Sequence, residues 1–144
     1  MKKQLLAALA ASAMLFAGCS GNADTKTSNA AGETTTTGYG DHDGQEVQAT
    51  VTTKDGKITK VVLDEITEDG DSKKDLGADY NMKAASSIGK EWNEQVEFLE
   101  NYIAENGVDG IELDEAGKAT NEDVLSGCTI SIKGMIDAID DAQK

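Results

Sequence analysis

Apolar residues alternate with polar ones at Val47, Ala49 and Val51, and after Asp55-Gly56 a second run, rich in β-branched residues, continues from Ile58 to Leu63. A period of two marks a strand buried on one face, and Asp-Gly reaches the left-handed backbone of a two-residue hairpin turn. The pattern predicts a β-hairpin. From Glu65 to Asp79 the chain is acidic, contains glycine and has no period, which predicts a loop. Between about Lys90 and Glu105 the period changes: Trp92, Val96, Leu99 and Ile103 are four, three and four residues apart, so one apolar stripe of a helix faces a core. Asn106-Gly107 is its stop, because glycine enters the left-handed region without steric penalty. Ile111 and Leu113 predict a short third strand before a polar segment from Asp114 to Asp123. Ile132, Met135, Ile136 and Ile139 predict a terminal amphipathic helix beginning near Ser131. Together these elements make a small single α+β domain, with an antiparallel hairpin-based sheet, one long amphipathic helix and a C-terminal helix. There is no internal repeat.

The front of the chain follows a different pattern. Met1-Lys2-Lys3 precedes an uninterrupted small and apolar run from Leu5 to Gly18, and Cys19 follows. A helix spanning a bilayer needs about 20 such residues, whereas a basic start, a shorter apolar stretch and small residues before a cleavage point describe an export signal. Residues 1–18 are therefore expected to be a signal peptide. Leu15-Phe16-Ala17-Gly18-Cys19 resembles the bacterial lipobox, with Phe16 where Leu is more usual. That resemblance implies cleavage before Cys19, diacylation of its thiol and attachment to the extracytoplasmic face of the cell membrane, which two or more lipid chains make durable. Ser20 to Gly38 is rich in Ser, Thr, Asn, Ala and Gly and includes Thr34-Thr35-Thr36-Thr37. Residues 19–38 thus read as the lipidated cysteine and a flexible tether, and 39–144 as the folded domain. In an alternative reading the cleaved signal, ending Ala13-Met14-Leu15-Phe16-Ala17-Gly18, becomes a secreted signalling peptide.

Composition narrows the chemistry. The 144 residues carry 27 acidic side chains against 13 lysines and no arginine, a formal charge of −14. Loss of the first 18 residues removes two lysines and no acid, and takes the charge to −16. Nucleic-acid affinity comes from cations that release condensed counterions, so a polyanion of this kind is not a nucleic-acid binder. Cys19, Cys128 and His42 are too few for a disulfide framework, a thiolate zinc site or a histidine-rich metal centre, and the EF-hand spacing is absent. The acidity reads as a solvated surface. His42, between Asp41 and Asp43, reads as an exposed loop residue. Gly38-x-Gly40 precedes a strand rather than following one, the wrong context for a dinucleotide loop. Cys128 has no base in the sequence beside it that would make it a nucleophile.

Asp123-Val124-Leu125-Ser126-Gly127-Cys128-Thr129 lies just before the terminal helix. A Ser-Gly loop at a helix N-terminus offers free N–H groups and the positive end of the dipole to an anion, and Gly127 would let the backbone approach a ligand; the same residues also suit an ordinary cap. The run Asp-x-x-Ser-Gly-Cys-Thr resembles the flavinylation motif Asp-x-x-Ser/Thr-Gly-Ala-Thr of FMN-binding domain proteins, a family that includes flavin-carrying subunits of Na⁺-translocating NADH:quinone oxidoreductase. Cys128 replaces the usual Ala. The resemblance implies FMN joined through its phosphate to the Thr129 hydroxyl by a flavin transferase, with Ser126 and Gly127 shaping the loop, Asp123 as the leading acid and Cys128 within it. Gly38-Tyr39-Gly40 and the hairpin around Asp55-Gly56-Lys57-Ile58 resemble the family's opening strands. The segment from Asp79 to Trp92 resembles lipid-anchored members of Gram-positive bacteria that serve in flavin-based extracellular electron transfer.

The implied function is a membrane-anchored electron carrier without substrate chemistry of its own, reduced by a membrane quinol- or NADH-linked donor and oxidised by an external acceptor. Trp92, Tyr80, Tyr102 and Met82 are candidates to touch the flavin ring, since aromatic and thioether groups stack on flat conjugated systems. Trp92 also lies on the apolar stripe with Val96 and Leu99, where core is the stronger reading, whereas Tyr80 and Met82 lie outside any clear periodic stripe. A lipoprotein that binds FMN or another anion reversibly is the alternative.

Overall fold

The computed structural model describes residues 27–29 and 32–144; the expected signal peptide and Cys19 lie outside the described residues. An antiparallel sheet runs in the order β1 (Thr27–Asn29), β2 (Glu33–His42), β3 (Gln45–Lys54) and β4 (Lys57–Glu65). Helices α1 (Lys73–Leu76), α2 (Trp92–Asn106), α3 (Glu122–Leu125) and α4 (Lys133–Ala142) follow. The predicted hairpin is β3–β4, in which Ala49 faces Leu63 and Val51 faces Val61. Its turn, Asp55 (φ 53°) with Gly56 (φ 77°), is repeated between β2 and β3 by Asp43 (φ 53°) with Gly44 (φ 84°). Two successive left-handed residues give a turn whose twist matches the strands it joins.

The strand β2 corrects the sequence reading in three places. It takes up Glu33–Gly38, which composition assigned to the tether. It sets Thr35 opposite Thr52 and Thr37 opposite Thr50, with the paired hydroxyls 3.1 and 3.3 Å apart. Threonine is β-branched and fits a pleated surface, and this preference outweighs the polarity that suggested flexible chain. Gly38 and Gly40 therefore lie within a strand rather than ahead of one. His42 ends β2 half-buried, not in an exposed loop.

One face of the sheet carries the core. Val47, Ala49, Val51, Val61 and Leu63 meet Val96, Leu99 and Ile103 of α2 and Met135 and Ile139 of α4, and all are at most 3% exposed. Burying side chains of this kind is worth roughly 1.5–3 kcal/mol each for the larger ones. The predicted long helix starts at Trp92, where Glu91 and Glu94 form a reciprocal capping box, and ends at Gly107 (φ 77°).

The helix α4 packs on β2 and β3, and its closest contact is made by a stripe that hydrophobic periodicity did not show: Gly134, Ala138 and Ala142. A Cβ on Gly38 would lie 2.2 Å from the Ala138 carbonyl oxygen, and one on Gly40 would lie 2.1 Å from that of Gly134. Helix backbone thus rests on strand backbone. Since β1 pairs only with Glu33–Thr35, the β2 edge beyond has no strand partner among the described residues, and Tyr39 N–H donates to Asp141 Oδ2 at 3.0 Å. That bond holds the Asp141 carboxyl below the ordinary carboxylate range.

Two further expectations are corrected. Glu65–Asp79 is not loop throughout: β4 runs through Glu65, and Ser72 caps the single turn α1, which leads into a 3-10 turn over Gly77–Tyr80. The Ser72 hydroxyl accepts from Asp75 N–H at 3.1 Å and Asp64 Oδ1 from Lys74 N–H at 3.2 Å. Polar caps make this turn, and they leave no trace in an apolar period. The third strand at Ile111 and Leu113 reduces to one bridge, Leu113 with Ala119. Asp114 Oδ1 accepts from the N–H groups of Ala116 and Lys118, both at 2.9 Å, and curls the chain before a ladder can form. Among the described residues no helix is long and apolar enough to cross a membrane.

Gly40→Ala should destabilise the protein by about 1–3 kcal/mol, because the added methyl must push strand and helix backbones apart. Gly110→Ala, with nothing within 4 Å of the new atom, should stay within about 0.5 kcal/mol. Urea denaturation followed by circular dichroism compares the two.

Candidate functional site

Trp92 and Gln95 of α2, the chain from Tyr80 to Ser87, and Thr129 to Ser131 enclose a cavity of about 610 Å³, within the range of small-molecule pockets. Gln95 organises it. This side chain lies on the buried stripe of α2 with no exposure. Its Oε1 accepts from Thr129 N–H at 2.9 Å and from the Thr129 hydroxyl at 3.3 Å. Its Nε2 donates to Ser86 Oγ and to the Lys90 carbonyl, each at 3.2 Å, and lies 3.7 Å from Met82 Sδ. An N–H can only donate, so the contact with Thr129 fixes which end of the amide faces it. One side chain therefore joins two walls of the cavity.

Of the expected site residues Asp123, Ser126, Gly127, Cys128 and Thr129, only Thr129 lines the cavity. Asp123 is exposed. The Ser126 hydroxyl donates to the Asp123 carbonyl at 2.7 Å and closes α3. A Cβ on Gly127 would sit 2.3 Å from the Phe98 ring, so the missing side chain admits Phe98 and not a ligand. Cys128 is buried, and burial pushes its thiol up to about 11, which removes it as a nucleophile near neutral pH. The start of α4 is neither an open anion seat nor capped by a side chain. The N–H groups of Ile132 and Lys133 both donate to the Gly117 carbonyl, at 2.7 and 3.2 Å, and that oxygen occupies the place a phosphate would need.

The lining has three kinds of surface. Tyr80, Met82 and Trp92 supply aromatic and thioether area, and Trp92 is both core and cavity wall; Tyr102 packs against the core and does not line the cavity. Ser86, Ser87 and Ser131 add hydroxyls. Lys73, Lys118 and His42 add positive or protonatable groups. Lys118 pairs with Ser131 in a β-bridge, so it stands beside the run that carries Thr129. Among the described residues no Asp or Glu lines the cavity, in a chain of charge −14, and no cluster could hold a metal ion. Such a lining suits a flat conjugated body with an anionic tail.

A family model, the FMN-binding domain, matches residues 38–144. The chain belongs to the FMN-binding domain family. No curated protein matches it. Among solved structures, the solution NMR structure of a structural-genomics target from Clostridium thermocellum is 26% identical to it, over 75% of this chain and 91% of that chain, with a TM-score of 0.46. In this FMN-binding domain the lining chemistry fits the cofactor: rings and a thioether for the isoalloxazine, hydroxyls and Lys118 for the phosphate.

Gln95, Lys73, Lys118 and Ser86 were missed in the sequence. Gln95 alone left a signal there, a polar amide three residues after Trp92 and one before Val96 on a stripe that is otherwise apolar.

Gln95→Leu should lower stability by about 1–3 kcal/mol, the penalty of leaving polar partners unpaired, and amide hydrogen exchange at Thr129 should accelerate. Cys128 should resist iodoacetamide at pH 8 while the protein is folded and react once it is unfolded in urea, as read by peptide mass spectrometry. With its folded value near 11 against an ordinary 9.0, the folded state keeps the thiol proton longer. Stability from this group is then full below pH 9 and declines as pH rises towards 11.

Proposed function

We propose that the protein is a lipid-anchored extracytoplasmic flavoprotein that carries electrons, with FMN joined through its phosphate to the Thr129 hydroxyl. The observation that carries this reading is the position of Thr129: within the run that resembles the flavinylation motif, its hydroxyl is the one brought to the cavity, held by Gln95. Gln95 accepts the hydroxyl proton, so the Thr129 oxygen keeps its lone pairs free to bond phosphorus. Ester formation breaks the Thr129 O–H bond and the bond from phosphorus to the leaving group of an activated flavin phosphate, with proton and leaving group released by the transferase, yet Gln95 still accepts from Thr129 N–H and the loop keeps its anchor. Lys118, bridged to Ser131, is placed to balance phosphate charge. Tyr80, Met82 and Trp92 offer the ring a wall to lie against.

Bound FMN supplies one- and two-electron transfer, which the side chains alone lack. A phosphoester matters most for a protein exported into a large volume, where a cofactor held by contacts alone is lost whenever it dissociates. Cys19 in its lipobox-like context is the proposed anchor. A flavin transferase, a quinol- or NADH-linked membrane donor and an external acceptor are the partners this reading requires. The protein itself transforms no substrate.

Intact-mass analysis of protein from its own host, or co-expressed with a flavin transferase, tests the assignment. The unmutated chain should carry an FMN-sized increment and a fluorescent band in denaturing electrophoresis, and Thr129→Ala should show neither. A colourless, unmodified native chain overturns the covalent reading.

A further inference from the structure

Lys73, Glu65 and His42 form a hydrogen-bonded cluster around a buried ion pair that the proposed attachment does not use. Lys73 is 5% exposed and Glu65 1%. The Lys73 ammonium pairs with Glu65 Oε1, and the same oxygen accepts from His42 Nδ1 at 2.9 Å. The ammonium also lies 5.0 Å from the centre of the Tyr80 ring and 5.8 Å from that of a Trp92 ring, so the cation and two aromatic walls form one surface. Lys73 and His42 line the cavity, whereas Glu65 does not. A buried ion pair seldom stabilises a fold more than apolar residues of equal volume would, because desolvation offsets the attraction. Its orientation does have an electrical effect: the positive end faces the cavity and the negative end lies behind it.

We propose that the Lys73–Glu65 pair sets the reduction potential of flavin held in this cavity, with Lys73 raising it and Glu65 lowering it. The proposal rests on FMN occupying the cavity and not on its bond to Thr129. Reduction by two electrons with uptake of one solvent proton adds one negative charge to the ring. A cation at the wall favours that more negative state, and a carboxylate behind it opposes it, with both effects enlarged where water is excluded.

Anaerobic titration of the flavin-loaded full chain with dithionite as the electron source, against a reference dye, reads the potential. Lys73→Met should lower it and Glu65→Gln should raise it, each by at least tenfold in the reduction equilibrium constant, about 30 mV for a two-electron couple. The double variant should return towards the unmutated value. If Lys73→Met alone fails to fold, the difference between Glu65→Gln and the double variant isolates Lys73 with no carboxylate left unpaired. Shifts of the same sign in the two single variants, or no shift in either, overturn the proposal, because damage to the site would drive both towards free flavin. Thr129→Ala supplied with free FMN separates the two readings. If it binds FMN, quenches emission of the single tryptophan, Trp92, and shows the same opposed shifts, the pair's role stands without the ester. If no form of the chain takes up FMN, occupancy of the cavity fails, and this proposal fails with it.

Discussion

Gln95 sits where α2 turns its apolar stripe inward, and an amide left unpaired there would cost about 1–3 kcal/mol. The groups that satisfy it decide the shape of the site. Thr129 donates to one end, and Ser86 and Lys90 accept from the other, so the run ahead of α4 and the irregular chain ahead of α2 are held to one helix. Glu91 strengthens the second attachment, since its Oε2 accepts from the N–H groups of Met82 and Lys83 at 2.9 and 3.2 Å. The first turn of α2 is therefore the scaffold on which two loops are hung, and the space between them is the cavity. Loops carry functional groups well only when something rigid holds them; here a capped helix of 15 residues does so.

Charge is distributed against the trend of the chain. The body is strongly acidic, yet the cavity lining offers lysines and hydroxyls and, among the described residues, no carboxylate. At physiological salt the field of surface acids fades over about 8 Å, so a phosphate close to Lys118 responds mainly to the cation beside it. The acidic exterior and the cationic interior are compatible because they act at different distances. Glu65 belongs to the interior balance, since it offsets Lys73 from beneath the wall and would otherwise be an isolated buried charge.

The parts of this arrangement legible in the sequence are those whose signal is periodic or local. The β3–β4 hairpin showed in its alternation and in Asp55-Gly56, and α2 and α4 in their apolar spacings. The strand β2 was hidden because its inward positions are threonine and glycine rather than valine, although Asp43-Gly44 repeats the turn that was recognised at Asp55-Gly56. Gly38 and Gly40 read as lying ahead of a strand, whereas they lie within β2 and admit α4, a partner about a hundred residues away in the chain. The caps of α1, the Asp114 turn and the Gln95 bonds are polar contacts between distant or aperiodic residues, and no hydrophobic pattern can report them. Thr129 was found only through resemblance, since physical reasoning about a helix N-terminus led to a place that the Gly117 carbonyl already fills.

That failure explains what the seven-residue run is for. Its side chains go to different places, with Val124 and Cys128 buried, Gly127 yielding its volume to Phe98, and Thr129 turned to the cavity. The backbone is pinned in between, by Ser126 to the Asp123 carbonyl and by Cys128 N–H to the Val124 carbonyl at 2.8 Å. Direction at Thr129 therefore follows from packing at Gly127 and Cys128, not from contacts those residues make with a ligand. On this geometry the departure at Cys128, where the resembling motif has alanine, is a core substitution. It adds one sulfur atom to the buried core and none to the cavity lining, in which Thr129 keeps its bond to Gln95.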